Sequence, residues 1–291
     1  MAVFAPIPLP QSRTALVWDR VYLFGVINVT PDSFSDGGKH MAVASAVAFG
    51  LRSVAAGADV LDVGGESTRP GAMRVTDEEE IARVVPVIEG LLQAGCTAPI
   101  SVDTTKARVA QAALRAGAAI VNDISGGRFD ADMLGVVAEG AGAYVLGHVR
   151  GRNLDQAHAA ELDPPSFDAV SAELGERVAS LPVDLRLRTL VDPGIGFGKG
   201  ARIDLELCGR AGELAARTGR PVLVGPSRKR FLGKLLGGKA AGERDDATVG
   251  ACLAAVASGA SAVRVHDVGR VRDALTVFAA VSAAAAGGRA C

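Results

Sequence analysis

Aromatic side chains are scarce in this sequence of 291 residues. They make up 4% of the chain, with one tryptophan and two tyrosines, whereas 49% of all residues are hydrophobic. The core must therefore be built mainly from alanine, valine and leucine. This much apolar surface, beside 22% charged residues, excludes a largely disordered chain and predicts a protein with a large core.

Cysteine motifs, strong net charge and long apolar runs are also missing. The four cysteines, Cys96, Cys208, Cys252 and Cys291, form no CxxC, so the sequence indicates neither a zinc site nor a disulfide framework. A net charge of -1 gives no global field to attract nucleic acid or an anionic membrane. No run approaches the roughly 18 apolar residues of a membrane span, and the start lacks the basic region of a signal peptide. We expect a cytoplasmic protein with small-molecule substrates and no nucleic-acid or membrane partner.

Eight short β-branched runs alternate with longer alanine-rich segments. The runs cover residues 21–27, 59–63, 98–102, 119–124, 143–146, 188–191, 221–224 and 262–265. Such a repeat has the size of a (β/α)8 barrel, although a doubly wound open sheet alternates in the same way. Polar residues follow nearly every run, and only a barrel brings all eight strand ends to one mouth. We therefore predict an α/β TIM barrel over residues 21–291, with residues 1–20 as an extension or hairpin that caps its bottom.

Three of the predicted strands end in carboxylate or amide side chains. Asp103 and Asp192 directly follow such runs, and Asn122 lies near the end of another. Taken alone, Asp103 or Thr104 would serve equally well as the N-cap of the next helix. Three such groups at one mouth offer in-plane acceptors, and the amide adds donors, for a flat ring with an amidine-like donor edge.

The segment DPGIGFGK alternates glycine with larger residues after Asp192. Asp-Pro-Gly is well suited to a turn, which is the simplest interpretation. Phe197, however, is a poor turn residue and a good surface for stacking against a ring. We interpret this loop as one wall of a ligand site.

Two basic segments follow the seventh and eighth runs. GPSRK brings Ser227 and Lys229 to a predicted helix start, where backbone amides favour an anionic or electron-rich group, although a run of basic residues is usually a solvated face. RVHD places Arg264 and His266 on the same side of the last strand. A cation inside a barrel needs a partner, which can be a carboxylate such as that of Asp62 or Asp267, or a phosphate.

Two glycine-rich segments leave the first two predicted strands. NVTPDSFSDGG begins with Asn28, and GGESTRPG covers residues 64–71. Such loops can close over a ligand. Two neighbouring loops that carry Asp, Ser, Thr and Arg predict a site that assembles around two substrates and excludes water.

At these segments the sequence resembles the dihydropteroate synthase family. The matching motifs are NVTPDSFSDGG, DVGGESTRPGA, SVDT, VNDISGG, DPGIGFGK, GPSRKRF and RVHDV, in family order from residue 28 to residue 268. Each motif alone is weak, whereas the seven together are specific. The resemblance implies a homodimeric TIM barrel that joins para-aminobenzoate to 6-hydroxymethyl-7,8-dihydropterin diphosphate with the help of Mg2+.

The resemblance also implies roles for individual residues. The pterin would be held by Asp103, Asn122, Asp192, Phe197 and Lys229, and the diphosphate by Asn28, Arg69, Arg264 and His266. Para-aminobenzoate would be bordered by Phe34, Thr68, Pro70 and Ser227. The catalytic residues would be Lys229, Arg264, His266 and Asp32, and Asn28 would be the metal ligand. The implied reaction is dissociative, because an electron-rich pterin can stabilise the cation that forms as diphosphate leaves.

One residue departs from the family pattern. Gly147 stands where this family commonly has methionine, so we expect the loss of an apolar contact to the pterin. Two alternative functions stay open, a non-catalytic paralogue that binds pterin and a folate-dependent methyltransferase domain. The methyltransferase should lack the NVTPDSFSDGG loop and the SRK and RVH segments, because it expels no diphosphate.

Overall fold

Eight parallel strands form the centre of the protein. The structure is a computed structural model and describes residues 4–29, 39–69, 71–159 and 163–285. After a hairpin of β1 (Ile7–Leu9) and β2 (Thr14–Leu16) come β3 (Tyr22–Asn28), β4 (Val60–Gly64), β5 (Ile100–Asp103), β6 (Ile120–Asp123), β7 (Ala143–Gly147), β8 (Thr189–Asp192), β9 (Leu223–Val224) and β10 (Ala262–Val265). Each of the last eight falls within or overlaps one β-branched run, so the prediction of eight strands is confirmed.

The eight strands close into a barrel. From β3 to β8 they pair in chain order, and β10 pairs with both β9 and β3. A bridge between Val191 and Val222 joins β8 to the start of β9, where the Val191 N–H donates to the Pro221 carbonyl at 2.9 Å. The predicted TIM barrel is therefore confirmed, and the doubly wound alternative is wrong.

The barrel interior is apolar at its lower end and polar at its upper end. Near the strand starts, the buried cluster includes Phe24, Val60, Ile120, Val145, Leu190, Leu223 and Ala262. Further along the same inward faces lie Asp62, Asn122, Asp192 and Arg264, each two residues after an inward apolar residue of the same strand, and Asp103, two residues after buried Ser101. The period of two along each strand thus collects the predicted polar residues at the upper mouth.

The N-terminal hairpin packs against the lower end, opposite the mouth. Ile7, Leu9 and Leu16 are buried with the lower barrel residues, and the Trp18 ring meets the Tyr22 ring edge to face at 5.4 Å. Gln11 joins the hairpin turn to the helix between β6 and β7 by donating from Nε2 to the Gly140 carbonyl at 2.8 Å. The hairpin therefore closes the apolar end of the barrel interior.

Helices surround the barrel. They are α1 (Lys39–Ala55), α2 (Asp77–Gln93), α3 (Ala107–Arg115), α4 (Met133–Gly140), α5 (Leu154–Ala159), α6 (Phe167–Ser180), α7 (Val183–Leu187), α8 (Gly200–Gly209), α9 (Ala211–Thr218), α10 (Arg230–Leu235), α11 (Asp245–Ala257) and α12 (Val268–Ala285). Non-helical Arg210 separates α8 from α9, and the Gly212 N–H donates to the Ser258 carbonyl. No helix within the described ranges is long and apolar enough to span a membrane.

Candidate active site

A cavity of about 620 Å3 opens at the upper end of the barrel. Its lining includes most of the predicted site residues, namely Asn28, Thr68, Arg69, Asp103, Phe197, Ser227, Lys229, Arg264 and His266. Asn122 and Asp192 do not line it, because they lie buried within the barrel, with 2% and 9% of their surfaces exposed. The predicted residues Asp32, Phe34 and Pro70 lie outside the described residues.

Arg264 bridges two carboxylates from neighbouring strands. Its Nε donates to Asp62 Oδ2 at 2.5 Å and its Nη2 donates to Asp103 Oδ2 at 2.6 Å. Burial still raises the pKa of Asp103 to about 7, against the opposing effect of Arg264. Of the partners that the sequence left open for Arg264, Asp62 is correct and Asp267 is wrong, since Asp267 pairs with Arg270.

Asn122 is held by the same carboxylate. Its Nδ2 donates to Asp62 Oδ2 at 3.0 Å, which leaves its own Oδ1 and Asp62 Oδ1 buried and without a partner among the described residues. A buried acceptor without a hydrogen bond is costly. The Asn122 amide is therefore oriented, and its Oδ1 is a buried acceptor that no described residue satisfies.

The capping interpretation of Asp103 is wrong. At the start of α3, the Ala107 N–H donates to Asp130 Oδ2 at 2.7 Å, and the Lys106 N–H donates to Thr104 Oγ1 at 3.2 Å. Asp130 comes from the loop after β6 and takes the place of a local cap. The Asp103 carboxylate therefore does not cap the helix, and it contacts Arg264 and lines the cavity.

The DPGIGFGK loop combines the turn and the ligand interpretations. The Gly194 N–H donates to Asp192 Oδ1 at 2.7 Å, which is a local turn and leaves the second carboxylate oxygen. Gly194, Gly196 and Gly198 have φ values of 69°, 81° and 66°, a region that favours glycine. Alternate glycines therefore let the chain turn sharply while Phe197 faces the cavity.

Lys199 fastens this loop from below. Its side chain is buried, and Nζ donates to the carbonyls of His148, Gly194 and Phe197 at 2.8, 3.0 and 3.2 Å. Burial lowers the pKa of Lys199 to about 7, whereas three carbonyl acceptors favour the charged ammonium group, which has three N–H bonds. Lys199 thus joins the end of β7 to the Phe197 loop.

The SRK segment is pinned by its middle residue. Arg228 has a φ of 59°, rare for a residue with a side chain, and its guanidinium makes a bidentate pair with Asp245 at 2.7 and 2.9 Å. This turn places Lys229 Nζ 4.2 Å from the centre of the Phe197 ring. The interpretation of the basic run as a solvated face is therefore wrong for Lys229, whose pKa is lowered by burial.

His266 lies among cations and is neutral. The His266 backbone N–H donates to Ser227 Oγ at 3.2 Å, and the same Oγ lies 2.9 Å from His266 Nδ1, in a hydrogen bond whose direction depends on the imidazole tautomer. Burial, and then the charges of Arg264, Arg228, Lys229 and Arg69, lower the pKa of His266 to about 3. The neutral imidazole lies in a positive field that suits an anion, and the tautomer in which Nδ1 accepts from Ser227 presents an Nε2–H donor to it.

The loop after β4 is clamped at its base. Lys106 Nζ pairs with Glu80 at 2.7 Å and with Glu66 at 3.1 Å, and also donates to the Val75 carbonyl. Glu66 accepts from the Val75 N–H at 3.2 Å, which closes the loop across its two ends. Thr68 and Arg69 lie between these clamped points and line the cavity.

Gly147 lies where the structure leaves no room for a side chain. A Cβ at this position would lie 2.5 Å from the Ile124 carbonyl oxygen and against the Ile124 backbone. The end of β7 approaches the chain after β6 too closely for any side chain. In this protein Gly147 therefore serves backbone packing, and no space exists there for an apolar contact to a ligand.

Sequence patterns missed several residues of the site. The sequence indicated Asp62 only as one possible partner of Arg264. Lys199 was one more charged residue in a glycine-rich loop, and no motif pointed to His158, which lines the cavity. Glu66 and Lys106 are joined across 40 positions. Contacts between residues so far apart in the sequence are set by the barrel geometry. Only the position of Asp62 at a strand end could therefore have indicated its role.

Known proteins match the chain over most of its length. The family model described as "Pterin binding enzyme" matches residues 24–266. The dihydropteroate synthase of Synechocystis is 42% identical over 91% of this chain and 92% of its own. The solved structure of Xanthomonas albilineans dihydropteroate synthase with 4-aminobenzoic acid is 43% identical, with a TM-score of 0.83 over 96% of this chain and 99% of its own.

The Burkholderia cenocepacia dihydropteroate synthase, solved with 7,8-dihydropteroate, is 37% identical and has a TM-score of 0.83 over 99% of this chain and 100% of its own. The barrel, the polar residues at its mouth and the order of the sequence motifs all agree with these matches. The chain belongs to the dihydropteroate synthase family of pterin-binding enzymes, which are transferases.

Proposed function

We propose that the chain condenses para-aminobenzoate with 6-hydroxymethyl-7,8-dihydropterin diphosphate to give 7,8-dihydropteroate and diphosphate. The proposal depends above all on Arg264, whose guanidinium contacts Asp62 and Asp103 and whose charge acts on His266. Two sites thus meet at the Arg264 side chain. One is rich in acceptors and suits a ring with N–H donors, and the other is cationic and suits an anion. Substitution at the carbon between ring and diphosphate requires this arrangement.

The ring half of the site would hold the pterin. Asp103 and Phe197 line the cavity and would supply an acceptor and an apolar surface, and Asn122 and Asp192, which are buried in the barrel interior, would supply further acceptors for the N–H groups of the ring. Lys229 supplies a donor beside that surface. The dihydropterin and 4-aminobenzoic acid frameworks bound by the two solved relatives support these substrates.

The cationic half would stabilise the leaving group. As the C–O bond to diphosphate breaks, its electron pair stays with the diphosphate oxygen, and Arg264, Arg69 and the His266 Nε2–H stabilise the growing negative charge. The electron-rich ring stabilises the exocyclic methylene cation. The amine of para-aminobenzoate then forms the new C–N bond, and its proton passes to solvent or to diphosphate. His266, with its pKa near 3, would be a poor base, so no protein base is assigned.

The residues present fit Mg2+ only together with the diphosphate. Among the described residues, no three His, Cys, Asp or Glu side chains gather in a metal-binding group. Asn28 offers one amide oxygen at the cavity, and Mg2+ in proteins often binds through one or two side chains with substrate phosphates and water. When bound, Mg2+ would neutralise charge on the departing diphosphate.

Product formation tests the proposal. Purified protein is incubated with dihydropterin diphosphate, with and without para-aminobenzoate and with and without Mg2+, and both products are measured. We expect diphosphate and dihydropteroate in equal amounts, and loss of both when Mg2+ is removed. Pterin binding without either product would instead indicate a non-catalytic paralogue. The proposal also includes a homodimer, which light scattering would contradict by giving the mass of one chain.

A further inference from the structure

His158 joins two walls of the cavity. Its Nε2 lies 2.9 Å from the Thr68 carbonyl oxygen, 90 positions away, so Nε2 carries the hydrogen and donates. Its ring stacks on Phe197, with centroids 5.8 Å apart and planes 25° apart. One side chain therefore contacts the loop after β4 and the aromatic wall after β8.

The helix beneath His158 holds it in place. Leu154 and Ala157 of α5 are buried in a small cluster with Ile124, Val149 and Phe197. A buried apolar face fixes the rotation of a short helix and so the direction of its other side chains. His158 itself is partly exposed and lines the cavity.

The contact matters because the tip of the loop has few others. The base is clamped through Glu66, Lys106 and Val75. Within the described ranges, no hydrogen bond other than that of His158 joins residues 67–69 to a different element. The position of Thr68 over the cavity thus depends on the clamp at the base and on His158 at the tip.

We propose that His158 is a positioning residue with two separate contacts: its hydrogen bond holds the Thr68 wall for para-aminobenzoate, and its ring holds the Phe197 wall for the pterin. The assignment of each contact to one substrate rests on the proposed function, since the roles of the two walls come from it. The hydrogen bond and the ring contact are separable. Phenylalanine at 158 keeps a ring without the donor, whereas glutamine keeps a donor at the place of Nε2 without the ring.

The first test does not require activity. Hydrogen exchange is measured in the ligand-free protein on peptides that cover residues 65–69. We expect exchange to rise about fivefold in His158→Ala and His158→Phe, because a hydrogen bond is lost, and to stay near wild type in His158→Gln. Asp155→Asn, an exposed change on the same helix, is the matched control. Equal exchange in all variants would overturn the proposal.

The second test separates the two contacts by kinetics. In His158→Phe we expect KM for para-aminobenzoate to rise about fivefold, with KM for the pterin substrate unchanged. In His158→Gln we expect the reverse pattern. If both variants change the two KM values equally, or neither does, the assignment of one contact to each substrate is wrong. If wild-type protein forms no dihydropteroate while the exchange result holds, the hydrogen bond from His158 to Thr68 is supported and the proposed function is wrong.

Discussion

Arg264 Nη2 donates to Asp103 Oδ2 at 2.6 Å, so the arginine assigned to the diphosphate and a carboxylate assigned to the pterin are direct partners in the free protein. A pterin donor that binds Asp103 must share or displace this contact. The two halves of the substrate therefore meet side chains that are already coupled.

Pterin affinity should depend on pH through Asp103. Its pKa is raised to about 7, so the carboxylate is present above that pH and is protonated below it. We expect the affinity for the pterin alcohol, which carries no titrating phosphate, to fall about tenfold from about pH 8 to about pH 6. Calorimetry measures it. Asp103→Asn should bind weakly with a much flatter profile, and an equally steep profile in that variant would assign the titration to another group.

Removal of Arg264 should destabilise the fold. Arg264→Ala leaves Asp62 fully buried beside Asp103 without a counter-charge, and breaking a buried pair costs about 3 to 5 kcal/mol. Urea unfolding followed by circular dichroism gives the free energy. Arg270→Ala removes an exposed pair and should have little effect. A similar stability for both variants would contradict the importance of the buried pair.

A lysine at position 264 should separate stability from leaving-group binding. Arg264→Lys keeps a positive charge near Asp62 and Asp103 but loses the planar fork. We expect affinity for the diphosphate ester to fall about tenfold more than affinity for the pterin alcohol. The ratio of the two dissociation constants is the readout. Equal losses would count against contact between Arg264 and the diphosphate.

Lys199 should give stability that increases with pH. Its pKa falls from the ordinary 10.5 to about 7 on folding, so between these values the unfolded chain binds more protons and stability rises with pH. Denaturation at about pH 7 and about pH 9 should show a smaller rise in Lys199→Met than in wild type. An equal rise in unfolding free energy in wild type and in Lys199→Met would mean that the carbonyls of His148, Gly194 and Phe197 keep the lysine charged.

Two glycines should respond to alanine with opposite signs. At Gly147 a Cβ meets the Ile124 backbone, so Gly147→Ala should cost about 1 to 3 kcal/mol of unfolding free energy. At Gly135, within helix α4, a Cβ meets nothing within 4 Å, so Gly135→Ala should stabilise by about 0.5 to 1 kcal/mol. Stability of Gly147→Ala near wild type would show that β7 can move away from Ile124.

The sequence predicts the barrel well because the relevant signals are local. Inward apolar residues followed by a polar residue recur in most of the strands, and a barrel can bring all these ends together. The break between α8 and α9 at Arg210 has no such local signal, because the apolar spacing continues across it. The contacts of His158 and Lys199 were missed because each depends on a loop from a different strand, whose path no local pattern records.

The N-terminal hairpin has a practical consequence for measurements. Trp18, the sole tryptophan, is buried with Tyr22 under the barrel, at the end opposite to the cavity. Its fluorescence should therefore report the opening of the lower core and remain unchanged when a ligand fills the mouth. The chain thus carries an internal optical probe of unfolding that is independent of the site.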